Sequence, residues 1–71
     1  MKKIAIYIVS VKDSKIPFRI TPSKSTVRTI QNTFNNKDFV VQTKRLTDGM
    51  IVNLLIDNPW SFDKNEFVGI V

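Results

Sequence analysis

The run DFVVQTKRLTDGMIVNLLID, residues 38–57, holds two β-rich stretches around Thr47-Asp48-Gly49. Asp-Gly between apolar runs is a short-range hairpin signal, because both residue types tolerate the positive φ of a tight β-turn. A strand is therefore predicted on each side of the turn, the second being MIVNLLID. That second strand carries no charge before Asp57. If it ends one side of the sheet, its bare edge invites pairing with a second copy, and a homodimer through residues 50–56 is expected.

Working back towards the N-terminus, KIAIYIVSV, residues 3–11, is apolar at odd and even positions alike, the pattern of a central strand covered on both faces. KDSK turns the chain. IPFRIT, residues 16–21, alternates, with Ile16, Phe18 and Ile20 pointing one way and Pro17, Arg19 and Thr21 the other. Pro17 has no ladder donor, which puts this strand at a sheet edge. Thr21 or Ser23 then serves as an N-cap beside Pro22. Val27, Ile30 and Phe34 follow at spacings of three and four, one apolar stripe on an amphipathic helix that ends near Asn35-Asn36. Its threonines and asparagines are weak helix formers, so packing must hold it. Downstream, NPWSFDKNE is a loop in which Trp60 plugs one end of the core, and EFVGIV is a last apolar strand with Gly69 at a bulge or a close backbone approach.

The stretch SKIPFRITPSKSTVRTIQNTF, residues 14–34, resembles the hairpin-to-helix junction of ubiquitin-like proteins, and KRLTDGMIV, residues 44–52, is similar to the lysine, leucine and Asp-Gly turn of that family's second half. The resemblance implies an α+β fold: a single β-grasp-like domain over residues 1–71, in ββαβββ order. Its mixed sheet has four to five strands, with one helix packed on one face. It also implies that the first and last strands lie parallel at the sheet centre. The family's conjugating members end in a Gly-Gly tail, whereas this sequence ends in FVGIV, so no conjugation chemistry is carried over.

Composition narrows the function. Seventy-one residues make one domain with a small core, and 42% hydrophobic content with two glycines and three prolines is that of a folded chain. Two lysines ahead of an apolar run mimic a signal peptide, but the run is short and lacks a small-residue cleavage site, so it reads as a buried strand. No segment reaches the roughly 18 to 20 apolar residues of a membrane span, and no membrane partner is expected. There is neither His nor Cys. The usual near-neutral acid–base groups and soft metal ligands are therefore missing, and the expectation is a non-enzymatic protein without cofactor or metal. Asp63-Lys64-Asn65-Glu66 begins a calcium-loop pattern but lacks its glycine and distant glutamate, so it reads as a solvated turn. The absence of cysteine leans towards the cytoplasm.

Net charge is +5, unevenly placed: residues 1–45 hold ten cations and two acids, while residues 46–71 hold one cation and four acids. Two kinds of partner suit such a chain. A protein partner would dock on an open sheet face made by Tyr7, Val9, Gln42, Lys44, Val68 and Ile70, with basic residues at its rim. A nucleic acid would instead meet Lys15, Arg19, Lys24, Arg28, Asn32 and Asn35 on the hairpin and the outer side of the helix. The first reading is preferred, a regulator or inhibitor of the kind phages and mobile elements encode, because the cations are few beside those of dedicated DNA binders.

Overall fold

The computed structural model describes residues 2–33 and 38–68. Its elements are β1 (Ile4–Val11), β2 (Pro17–Thr21), α1 (Lys24–Thr33), β3 (Phe39–Leu46), α2 (Asp48–Asp57) and a 3-10 helix (Lys64–Phe67). The strands form an antiparallel sheet in the order β2-β1-β3. The α+β class and the central place of β1 agree with the sequence; the strand count does not. Three strands and two helices are present among the described residues, in place of four or five strands and one helix.

The main correction falls on MIVNLLID, which is helical. Thr47 is extended (φ −75°, ψ 164°) and its hydroxyl accepts from the Met50 N–H at 3.4 Å, while its carbonyl accepts from the Ile51 N–H at 3.0 Å. Asp48 then lies in the first turn, where a carboxylate favours the helix dipole. The residues read as a hairpin turn thus start a helix instead. A Cβ at Gly49 would meet nothing within 4 Å, so the glycine answers no steric demand. Asn58 ends the helix through its N–H to Leu55 O at 3.3 Å and its side-chain amide to Leu54 O at 3.0 Å. Without a strand over residues 50–56, the dimer expected through that edge loses its basis. Thr47→Ala should cost about 1 kcal/mol, read as a lower urea midpoint with unchanged slope.

β1 alternates between two covered faces. Ile6 and Ile8 join Ile20, Ile51, Leu55 and Phe67 in the main core, with Ile4, Leu46, Leu54 and Phe62 packed against it. Each of the six buried side chains contributes about 1.5–3 kcal/mol on leaving water, and the partly buried ones less. Val9 and Val27 are buried outside that cluster, and α1 touches β1 and β2. The parity of Val9 against Ile6 and Ile8 therefore sets α1 on the sheet face opposite α2. Val27 is buried and Ile30 half-buried, as their spacing predicts; Phe34, the third member of that stripe, lies outside the described residues. Ser23 caps α1, its Oγ accepting from the Thr26 N–H at 3.4 Å.

The segment read as a final strand closes the far side of the sheet instead. Phe67 is buried at the end of the 3-10 helix, and Gly69, Ile70 and Val71 lie outside the described residues. The expected parallel pairing is not seen among the described residues: β1 is flanked antiparallel by β2 and β3. β2 is an edge strand, as Pro17 requires, yet its outer side is occupied. The Ile20 N–H donates to Ser61 O at 2.7 Å, and the Trp60 Nε1–H donates to Pro17 O at 3.2 Å.

Glu66 fastens this closure. Its Oε1 accepts from Arg19 Nη2 at 2.9 Å, and its Oε2 accepts from Thr21 Oγ1 at 2.9 Å and from Thr26 Oγ1. Thr21 Oγ1 in turn accepts from the Ser23 N–H at 3.0 Å, so one carboxylate ties β2, the start of α1 and the 3-10 helix together. Burial alone would raise the Glu66 pKa. The bonds from Thr26, Arg19 and Thr21, with the Arg19 charge, outweigh it and hold the group below its ordinary value.

Candidate interaction surface

Alternation predicts Ile16, Phe18 and Ile20 on one face; a bulge separates them. Val9 stands opposite Arg19 while Ser10 stands opposite Pro17, which leaves Phe18 as the extra residue. Ile20 goes into the core, and Phe18 is released to the surface at 43% exposure, with its ring centroid 5.4 Å from that of Phe39. The hairpin turn is held by the Ser14 N–H to Val11 O at 2.9 Å and the Ile16 N–H to Ser14 Oγ at 3.2 Å, with Asp13 at φ 66°. Aspartate is one of the few non-glycine residues that take this conformation readily.

Held this way, the hairpin end presents Val11, Ile16, Phe18 and Trp60 to solvent, with Ile16 and Trp60 each 62% exposed. Trp60 is therefore no plug over the core: the path of residues 58–61 along β2 leaves its indole outside. A hollow of about 420 Å³ is lined by Val11, Ser14, Ile16, Pro17, Phe18 and Trp60. Phe18 and Trp60 also line a second hollow of about 580 Å³ that runs to Thr26, Thr29 and Ile30 of α1. Lys12 and Lys15 stand exposed in the turn beside this apolar surface. A large aromatic whose N–H is already bonded, flanked by aliphatic neighbours and a basic rim, has the composition of an anchor point for another macromolecule.

The residues proposed from sequence are dispersed. Tyr7 is half-buried on the α1 side and Val9 is fully buried there, which removes it from any contact surface. Gln42 and Lys44 are exposed on the opposite face, opposite Ile8 and Ile6 in the ladder. Val68 is exposed at the rim of a separate hollow between α2 and the 3-10 helix, and Ile70 lies outside the described residues. The six therefore do not form one face. Of the alternative set, Lys15 belongs to the hairpin turn, Arg19 is committed to Glu66, and Lys24, Arg28 and Asn32 are exposed on α1; Asn35 lies outside the described residues. Residues missed by sequence reasoning are Ile16, Phe18 and Trp60.

Among the described residues there is no cluster of His, Cys, Asp and Glu side chains able to hold a metal ion, and no helix long and apolar enough to cross a membrane. Asp63, the first residue of the calcium-like fragment, accepts from the Asn65 N–H at 2.9 Å and so starts the 3-10 turn. In comparisons with known proteins the chain matches no family model, no curated protein and no solved structure.

Proposed function

We propose that the protein is a small non-enzymatic interaction module, a regulator or inhibitor that docks onto an acidic protein partner. The docking surface is the hairpin end: Ile16, Phe18 and Trp60 supply the affinity, and Lys12 and Lys15 speed encounter. The observation that carries this reading is Trp60, 62% exposed with its Nε1–H fixed to Pro17 O. An indole so held loses little rotamer freedom on binding. The likeness to ubiquitin-like proteins is kept as an analogy for the hairpin-to-helix junction and brings no chemistry with it.

The test is affinity capture from the native host with nuclease treatment, comparing the wild type with Trp60→Ala. A nuclease-resistant protein partner should be retained by the wild type and bind the variant at least about thirtyfold more weakly, a loss typical of an interface hot spot. The variant should stay folded and melt only slightly lower, since the indole is outside the core and its loss removes one exposed hydrogen bond to Pro17 O. A partner held equally by both would remove the hairpin end from the interface. The nucleic-acid reading keeps one supporting observation, the exposed Lys24, Arg28 and Asn32 on one side of α1. It requires binding that weakens steeply with salt and that Arg28→Ala abolishes while Trp60→Ala leaves it intact.

A further inference from the structure

On the α2 side of the sheet a hollow of about 460 Å³ opens between β1, β3, the end of α2 and the hairpin turn. Six of its nine lining residues are polar, and no Asp or Glu is among them. Its charged members are Lys15 and Lys44, both exposed, and neither has an ion-pair or hydrogen-bond partner among the described residues. Two unneutralised cations on one recess raise the local concentration of anions.

The uncharged groups between them have donors to spare. The Ser14 hydroxyl accepts from the Ile16 N–H at 3.2 Å, which leaves its own proton for a ligand. The Ser10 hydroxyl and the Gln42 amide have no partner among the described residues. α2 ends at this hollow, and a helix C-terminus disfavours an anion. Two of its last carbonyls are covered, however: Leu54 O accepts from Asn58 Nδ2 at 3.0 Å, and Leu55 O accepts from the Asn58 N–H at 3.3 Å. No aromatic ring lines the hollow, so it offers a nucleobase nothing to stack on.

The spacing of the cations sets the shape of the ligand. Lys44 stands opposite Ile6 on β3, whereas Lys15 precedes Pro17, which stands opposite Ser10 on the other side of β1. Their backbones are therefore at least four residues of β1 apart, about 13 Å. The two side chains enter the hollow from opposite ends, and a single small anion would meet only one of them. We infer that the hollow binds a small molecule carrying a phosphate at each end of a short polyol. Lys15 and the Ser14 hydroxyl hold one phosphate and Lys44 the other, while Ser10, Gln42 and Asn58 meet the hydroxyls between. Lys15 also stands at the rim of the hairpin end, but Trp60, which carries the proposed docking, does not line this hollow. No protein partner enters the test, so failure of either reading leaves the other standing.

Calorimetric titration of the full chain with fructose 1,6-bisphosphate, fructose 6-phosphate and fructose reads the two ends separately. The bisphosphate should bind at least about tenfold more tightly than the monophosphate, and fructose should not bind measurably. Lys15→Ala and Lys44→Ala should each erase the advantage of the bisphosphate. Lys64→Ala removes the same charge outside the hollow and should leave both affinities unchanged. All three positions are exposed, and circular dichroism should confirm unchanged folding. A bisphosphate that fails to bind at millimolar concentration, or that binds no better than the monophosphate, would overturn the inference. So would an advantage that survives either hollow variant, or one that Lys64→Ala reduces equally.

Discussion

Phe67→Ala is expected to remove roughly 3 to 5 kcal/mol of folding stability. A chain of this length has about 4–10 kcal/mol in all, so the loss is from about a third of the total to the whole of it. The ring is 2% exposed, belongs to the cluster of Ile6, Ile8, Ile20, Ile51 and Leu55, and meets Phe62 edge-on with centroids 5.9 Å apart. Truncation would leave a cavity between the sheet and α2 that the three-strand layer has little material to fill. Urea denaturation followed by circular dichroism measures the loss, with Phe67→Leu as the milder companion. A midpoint shared by Phe67→Ala and the wild type would mean that the 3-10 segment does not contribute to the core.

Glu66→Ala should cost about 3 kcal/mol, since it strips the acceptor from the Thr21 and Thr26 hydroxyls and from Arg19 at once. Glu66→Gln isolates the charge. Because the folded-state pKa lies below the unfolded one, the carboxylate stabilises the fold above its unfolded value, and that contribution is lost as pH falls through the folded value. The gap in melting temperature between wild type and Glu66→Gln should therefore be constant from neutral pH down to about 5 and close below the ordinary carboxylate range near 4.3. A gap that widens on acidification would reverse the assignment.

Both residues belong to the segment read from sequence as a last strand, and the reason for that misreading is physical. EFVGIV has the composition of a strand, but nothing in its own residues records that Phe67 is needed as a lid on Ile6 and Ile20 or that Glu66 has three donors waiting on β2 and α1. Those demands are set by residues forty or more positions away. MIVNLLID failed differently. Ile51, Leu54 and Leu55 have helical spacing, and Thr47-Asp48 before them with Asn58-Pro59 after them are start and stop signals. The Asp-Gly dipeptide spoke for a turn with equal force, and a short apolar run does not arbitrate. By contrast, β1 declared its central place because both its faces are apolar, and Pro17 declared an edge by lacking a donor.

The interaction surface was hidden for a further reason. Strict alternation makes Ile16, Phe18 and Ile20 equivalent, and only the bulge between β1 and β2 sends Ile20 inward and Phe18 outward. The exposure of Trp60 depends likewise on where residues 58–61 run, which is fixed by the Ile20–Ser61 bond rather than by any local preference.

The carboxylate of Glu66 reaches Thr26, Thr21 and Arg19 across 40, 45 and 47 residues of chain. Each contact closes a loop that spans most of the molecule, so chain entropy is lost well before the bond forms, and folding should be slower than helix content alone would suggest. On the ribosome the order is stricter still. Chain growth at about 5–20 residues per second delivers the hairpin and α1 seconds ahead of Ser61, Glu66 and Phe67. Until those residues emerge, the Ile20 N–H lacks its partner and the apolar side of β1 lacks its lid. During that interval the apolar side of β1 stays open to water, and the core is closed only when Ser61, Glu66 and Phe67 arrive.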